Sequence, residues 1–136
     1  MKKIKSLISL LVIITSCYLL ISCHTESHTS YSFLIKVDSI HVPQNITSKT
    51  PFEIDFFGFI GPDGCYSFQK FYQTMTSNND IEVEAWGLYQ TDSNVCLTVM
   101  VYLNGHLNMT ISAPGIYNLK IKQPDNNYLE KQLTVN

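Results

Sequence analysis

The sequence predicts an all-β chain, an immunoglobulin-like antiparallel β-sandwich of seven or eight strands. Three observations carry this. Apolar residues recur with period two in run after run from Tyr31 onward, and turn-forming clusters separate the runs at short, regular spacing. Beyond the N-terminal segment no window of 11 or more residues carries a helical period.

The N-terminal segment is of another kind. Lys2, Lys3 and Lys5 form a basic start, an apolar stretch follows from Leu7 to Ile21, and the chain turns polar from His24 to Ser30. A charged start, a short apolar run and a small-residue exit describe a secretory signal, and the run is short for a membrane span of about 20 residues. The exit, Leu20-Ile21-Ser22-Cys23, matches the bacterial lipobox, with Leu at −3, a small residue at −1 and Cys at the cut. It predicts a removable signal over 1–22, a lipidated Cys23 opening a flexible tether over 23–30, and a domain over 31–136. Several acyl chains on one residue anchor where a single chain does not, each buried CH₂ contributing about 0.8 kcal/mol. The expected address is the cell envelope, at the outer membrane, facing either the periplasm or the surface.

Along the domain the strands declare themselves in order. Phe52, Ile54 and Phe56 alternate with Glu53 and Asp55, and Ile81, Val83 and Ala85 with Glu82 and Glu84. Val95, Leu97, Val99, Val101 and Leu103 form an apolar row, Tyr117, Leu119 and Ile121 another, and Leu129, Leu133 and Val135 close the chain. Turns are expected at Gly61–Gly64, Ser77–Asp80, Asp92–Asn94, Ala113–Gly115 and Pro124–Asn127. Asn104-Gly105 suits a type I′ turn, which needs positive φ at both central residues; it predicts a hairpin pairing Val95–Leu103 with His106–Ile111.

Cysteine usage agrees with export. Cys17 leaves with the signal and Cys23 carries lipid, so Cys65 and Cys96 remain as a pair in an oxidising compartment, which reads as a disulfide joining the strand after Gly61–Gly64 to the Val95 strand. In the chain-entropy picture such a loop is stabilised by roughly 3–4 kcal/mol. A zinc pair is the poorer reading, without CxxC spacing or a nearby His.

Composition narrows the partners. All nine basic residues are lysines, and after loss of the signal six face eleven acids, leaving a domain near −5. Without Arg forks or a basic face, nucleic acid is not an expected partner. At 15% charged and 12% aromatic residues, the chain is too apolar to be disordered.

Residues 61–68, Gly-Pro-Asp-Gly-Cys-Tyr-Ser-Phe, resemble the signature of small uncharacterised bacterial lipoproteins of the Bacteroides type, in which a Gly-Pro-x-Gly-Cys turn precedes a strand, a Trp-Gly strand follows and a second Cys comes soon after. Trp86-Gly87 and Cys96 stand where that pattern asks, and Pro114–Tyr117 and Gln123–Asp125 resemble its last hairpin. The resemblance covers roughly residues 50–136. It implies the fold and no chemistry.

Catalytic signatures do not emerge. There is no Gly-x-Ser-x-Gly, His-Glu-x-x-His or phosphate-cradling loop, and no cofactor or metal is expected. His24 and His28 lie in the tether, while His41 and His106 read as isolated strand-edge residues. Turn formation accounts for Asp63 and for Asp125-Asn126-Asn127, which are otherwise plausible calcium ligands. Glu82 and Glu84 share one face about 7 Å apart, a spacing that suits a glycosidase carboxylate pair but equally the wet side of a half-buried strand. Asp38-Ser39-Ile40 resembles an O-glycosylation sequence at Ser39.

Aromatics remain. Phe52, Ile54, Phe56 and Tyr117 read as core, with Trp86 packed near the disulfide, whereas Phe57, Phe71, Tyr72, Tyr89 and Tyr102 are left unassigned by alternation. With Ile81, Val83 and Ala85 inward, Glu82, Glu84, Trp86 and Leu88 share the other face. Together with Tyr89 they make the expected binding face, suited to a glycan or an envelope protein; a bulge at Gly87 would instead turn Trp86 inward. The expected protein is a lipid-anchored, non-catalytic binding or structural domain. The alternative is a small envelope hydrolase or glycan-active enzyme built on surface carboxylates.

Overall fold

The computed structural model describes residues 28–76, 79–92 and 95–136. The predicted signal, Cys23 and the tether up to Ser27 lie outside the described residues. Eight strands form two sheets: β1 (Thr29–Leu34), β2 (Lys36–His41), β3 (Phe52–Gly61), β4 (Tyr66–Met75), β5 (Asp80–Thr91), β6 (Val101–Met109), β7 (Gly115–Lys122) and β8 (Tyr128–Val135). The chain is a β-sandwich, as its alternation predicts.

β5 organises the larger, five-stranded sheet. β4 runs antiparallel along one of its edges. The other edge is shared end to end, by β1 opposite Trp86–Thr91 and by β7 opposite Asp80–Val83, and β8 completes the sheet beyond β7. β2, β3 and β6 make the smaller antiparallel sheet. The β5–β7 pair is parallel, a departure from the all-antiparallel expectation. Its cause is the path of the chain: β6 crosses to the other sheet between them, and such a crossover brings the next strand back in the same direction.

β1 and β2 are one extended run that changes sheets at Ile35. This residue is buried, and its N–H donates to the Ala85 carbonyl at 2.8 Å. The core lies between the inner faces, where Ile54 and Phe56 of β3 and Leu103 of β6 meet Ile81 and Val83 of β5, Leu119 and Ile121 of β7 and Leu133 of β8. The buried Gln123 side chain stitches the two sheets, accepting from the Val37 N–H at 3.1 Å.

Three expectations are corrected. Asn104-Gly105 is not a turn: both residues lie inside the continuous strand β6, opposite Phe57 and Phe56 of β3. The glycine serves close approach instead, since a Cβ there would sit 2.9 Å from the Phe71 ring, which reaches across from β4 to pack on Phe56 at 4.6 Å between centroids. Second, Val95–Met100 is not a strand, and Val95 and Leu97 are about 80% exposed. The segment is held to the β3–β4 turn by the Cys65–Cys96 disulfide and by the Gly64 N–H donating to the Leu97 carbonyl at 2.8 Å. The bridge therefore exists, but it joins that turn to the β5–β6 crossing rather than to a Val95 strand. Third, the domain begins two residues early, because Thr29 and Ser30 pair with Thr91 and Gln90 of the long β5. Both are exposed, so hydrophobic periodicity carries no trace of that pairing.

Candidate functional site

The outer face of the five-stranded sheet is built around β5. Ile81, Val83, Ala85 and Gly87 are buried while Glu82, Glu84, Trp86 and Leu88 alternate outward and are half-buried. No bulge interrupts β5: Gly87 keeps its place because the Phe33 ring occupies the space a Cβ would need. The register shift falls on β4, between Phe68 and Lys70, and sets Lys70 opposite Trp86 and Tyr72 opposite Glu84. Trp86 thus stands on the outer face and not beside the disulfide.

Tyr72 and Trp86 together form a ridge between two shallow clefts. One, of about 260 Å³, is bounded further by Thr74, Glu82 and Glu84; the other, of about 240 Å³, by Ser32, Gln69 and Lys70. The polar groups on the ridge are tied down. Trp86 Nε1 donates to one oxygen of Glu84 at 2.8 Å and Lys122 Nζ to the other at 2.7 Å. Those two bonds, the lysine's first, hold the Glu84 carboxyl below its ordinary value against the opposing effect of burial. Lys70 Nζ lies 4.4 Å over the Tyr72 ring. Tyr128 donates to Glu82 at 3.4 Å, and Lys120 at the sheet's far side pairs with Asp80 at 2.6 Å.

Of the five residues expected on this face, four are there and Tyr89 is not. Tyr89 points to the inner side, stacked on Tyr31 at 4.9 Å and edge-on to Tyr66 at 4.9 Å, with its hydroxyl 3.9 Å from Cys96 Sγ. Period two requires this, since Tyr89 lies an odd number of residues from Trp86. Within that cluster the neighbouring Tyr31 hydroxyl, followed by burial, pushes the Tyr66 phenol up to about 12. The other unassigned aromatics divide: Phe71 packs inward, while Phe57, Tyr72 and Tyr102 are exposed. Phe59, which alternation did not single out, joins Phe57 and Tyr102 on the outer face of the smaller sheet. Ser39 is exposed beside the bulge at Asp38 in β2.

The histidines expected to be isolated are not. His41 and His106 flank Asp55 from either side on that smaller sheet, with Nδ1 atoms 3.2 and 2.7 Å from its carboxylate. They lie 14 and 51 residues from it along the chain, so no local pattern could have joined them. No family model, curated protein or solved structure matches the chain.

Proposed function

We propose that this chain is an exported envelope domain, anchored through lipid on Cys23 as in the lipoproteins that residues 61–68 resemble, which acts by binding a glycan on the outer face of its five-stranded sheet. The observation that carries the reading is the Tyr72–Trp86 ridge, flanked by Glu82 and Glu84 on one side and by Ser32, Gln69 and Lys70 on the other. Rigid aromatic area bordered by hydrogen-bonding groups suits a ligand with apolar faces and a polar rim, which describes a sugar ring.

Glu84 favours binding over catalysis. A glycosidase needs one carboxyl that keeps its proton, which requires a raised pKa, and Lys122 with Trp86 move Glu84 the other way. Held ionised, it serves as an acceptor for sugar hydroxyls.

Trp86 is the sole tryptophan, so its emission reports the ridge directly. Titration with a panel of envelope oligosaccharides should quench or shift that emission for at least one of them. Removing a central aromatic anchor costs about 2 kcal/mol or more, roughly 30-fold in affinity; Tyr72→Ala, followed through Trp86, should show it. A panel that leaves Trp86 unperturbed, or a Tyr72→Ala protein that binds as the parent does, overturns the reading.

A further inference from the structure

The smaller sheet brings together three metal-ligating side chains from distant parts of the chain and sets a second histidine beside them. Its strands lie in the order β2, β3, β6, and the register sets His41 opposite Asp55 and Asp55 opposite His106. Glu53, two residues before Asp55 on β3, shares that outward face. His106 Nδ1 is 2.7 Å from Asp55 Oδ1 and 3.6 Å from Glu53 Oε1, and His41 Nδ1 is 3.2 Å from Asp55 Oδ2. One donor atom each from Glu53, Asp55 and His106 lie within 4.8 Å of one another, while His41 stands outside that group, against the other oxygen of Asp55.

These distances match what a small dication requires. Bonds of 2.0–2.2 Å in a tetrahedral site put neighbouring donors roughly 3.3–3.6 Å apart. The His106–Glu53 separation already stands at that edge length, and the shorter His106–Asp55 contact is one that a metal replaces. Charge points the same way. Among the described residues the ion pairs of Glu53 and Asp55 are with these two histidines alone, so with neutral imidazoles the cluster carries two negative charges. A simple cross-strand ion pair needs one imidazole and one carboxylate, and an exposed pair of that kind contributes little to stability. Here two carboxylates and one imidazole converge from two paired strands whose spacing the backbone ladder fixes, so little ordering remains for a ligand to impose.

We infer that Glu53, Asp55 and His106 form a site for a first-row transition-metal dication of the Zn²⁺ class, bound through one imidazole nitrogen and two carboxylate oxygens, with His41 holding the other oxygen of Asp55. Such a mixed nitrogen–oxygen set suits Zn²⁺, Cu²⁺ or Ni²⁺ over Ca²⁺ or Mg²⁺, which prefer oxygen alone. The site is on the sheet opposite the Tyr72–Trp86 ridge and does not depend on the glycan reading.

Co²⁺ tests this with a spectroscopic readout. Added to the untagged full chain in detergent solution, it should bind one per chain and give the intense visible bands of a four- or five-coordinate ion, and Zn²⁺ should erase them while Mg²⁺ does not. His106→Gln and Asp55→Asn should each weaken binding at least tenfold. Glu53→Gln, at an exposed side chain, keeps the test sound if the other variants fold poorly, and should weaken binding too. The proposal is overturned if only the weak bands of hexaaqua Co²⁺ appear, or if binding survives all three substitutions. It is equally overturned if binding is lost in a His24→Gln, His28→Gln protein, which would place the metal in the tether.

Discussion

At the scale of single residues, Glu84 and Trp86 show how a polar face is held still without being closed. The indole N–H and the Lys122 ammonium take one carboxylate oxygen each, so the acid orients the tryptophan and the lysine keeps the acid ionised. The pH dependence follows from the direction of the shift. Glu84 titrates below its ordinary value of 4.5 in the folded protein, so its contribution to stability is fully present above 4.5 and is lost as pH falls through the lower, folded value. Lys122 is raised above 10.5, chiefly by the same bond, and its contribution fades only when pH climbs through that higher value. Trp86 emission should therefore stay constant as pH falls to about 4.5 and change only below it, and Glu84→Gln should flatten the transition. A transition centred at or above 4.5 in the parent protein would show that the Lys122 contact is not made in solution.

At the scale of elements, β6 is the instructive strand. Asn104-Gly105 has the local chemistry of a hairpin turn, yet β6 runs straight through it because pairing along all of β3 buries Leu103 and Met109. A turn there would instead have detached half the strand from the core. Asn104 is exposed in extended backbone opposite Phe57, which is where a β-branched residue is favoured. Asn104→Val should accordingly leave thermal stability unchanged or raise it by a few tenths of a kcal/mol. Gly105→Val should lower it by about 1–3 kcal/mol, because the added carbons meet the Phe71 ring. A clear loss of stability in Asn104→Val would restore the turn.

At the scale of the whole molecule, the two sheets present different chemistry on their outer faces. The larger carries the aromatic ridge with its buttressed carboxylate, and the smaller carries the His–carboxylate cluster and the Phe57, Phe59 and Tyr102 strip. The disulfide pins the long crossing between the sheets, a constraint of roughly 3–4 kcal/mol in the chain-entropy picture, on a segment that otherwise exposes Val95, Leu97 and Met100. Attachment to a membrane would leave both faces free, because the chain enters the sandwich at Thr29, at the end of β1 paired with Thr91. Radiolabelled palmitate should be incorporated into the full chain and be absent from Cys23→Ser, which should also keep its signal. A Cys23→Ser protein that labels and fractionates like the parent would remove the anchor from the proposal.

The sequence by itself determined which aliphatic and Phe residues of β3, β5 and β7 face inward. That Ile54 and Phe56, Ile81 and Val83, and Leu119 and Ile121 are core follows from side-chain period two, a property of a few consecutive residues. The same period put Glu82, Glu84, Trp86 and Leu88 on one outer face. The same rule turns Tyr89 inward, against the expectation that placed it on that face. The pairing of Cys65 with Cys96 was legible too, on the expectation that Cys17 leaves with a signal and Cys23 carries lipid. Only the tertiary structure decided which strands are neighbours: that β5 and β7 run parallel, that β6 continues through Asn104-Gly105, and that His41, Asp55 and His106 stand side by side. Register between strands tens of residues apart is set by the requirement that both sheets bury their inner faces at once. That is a condition on the whole chain, and no local stretch of sequence records it.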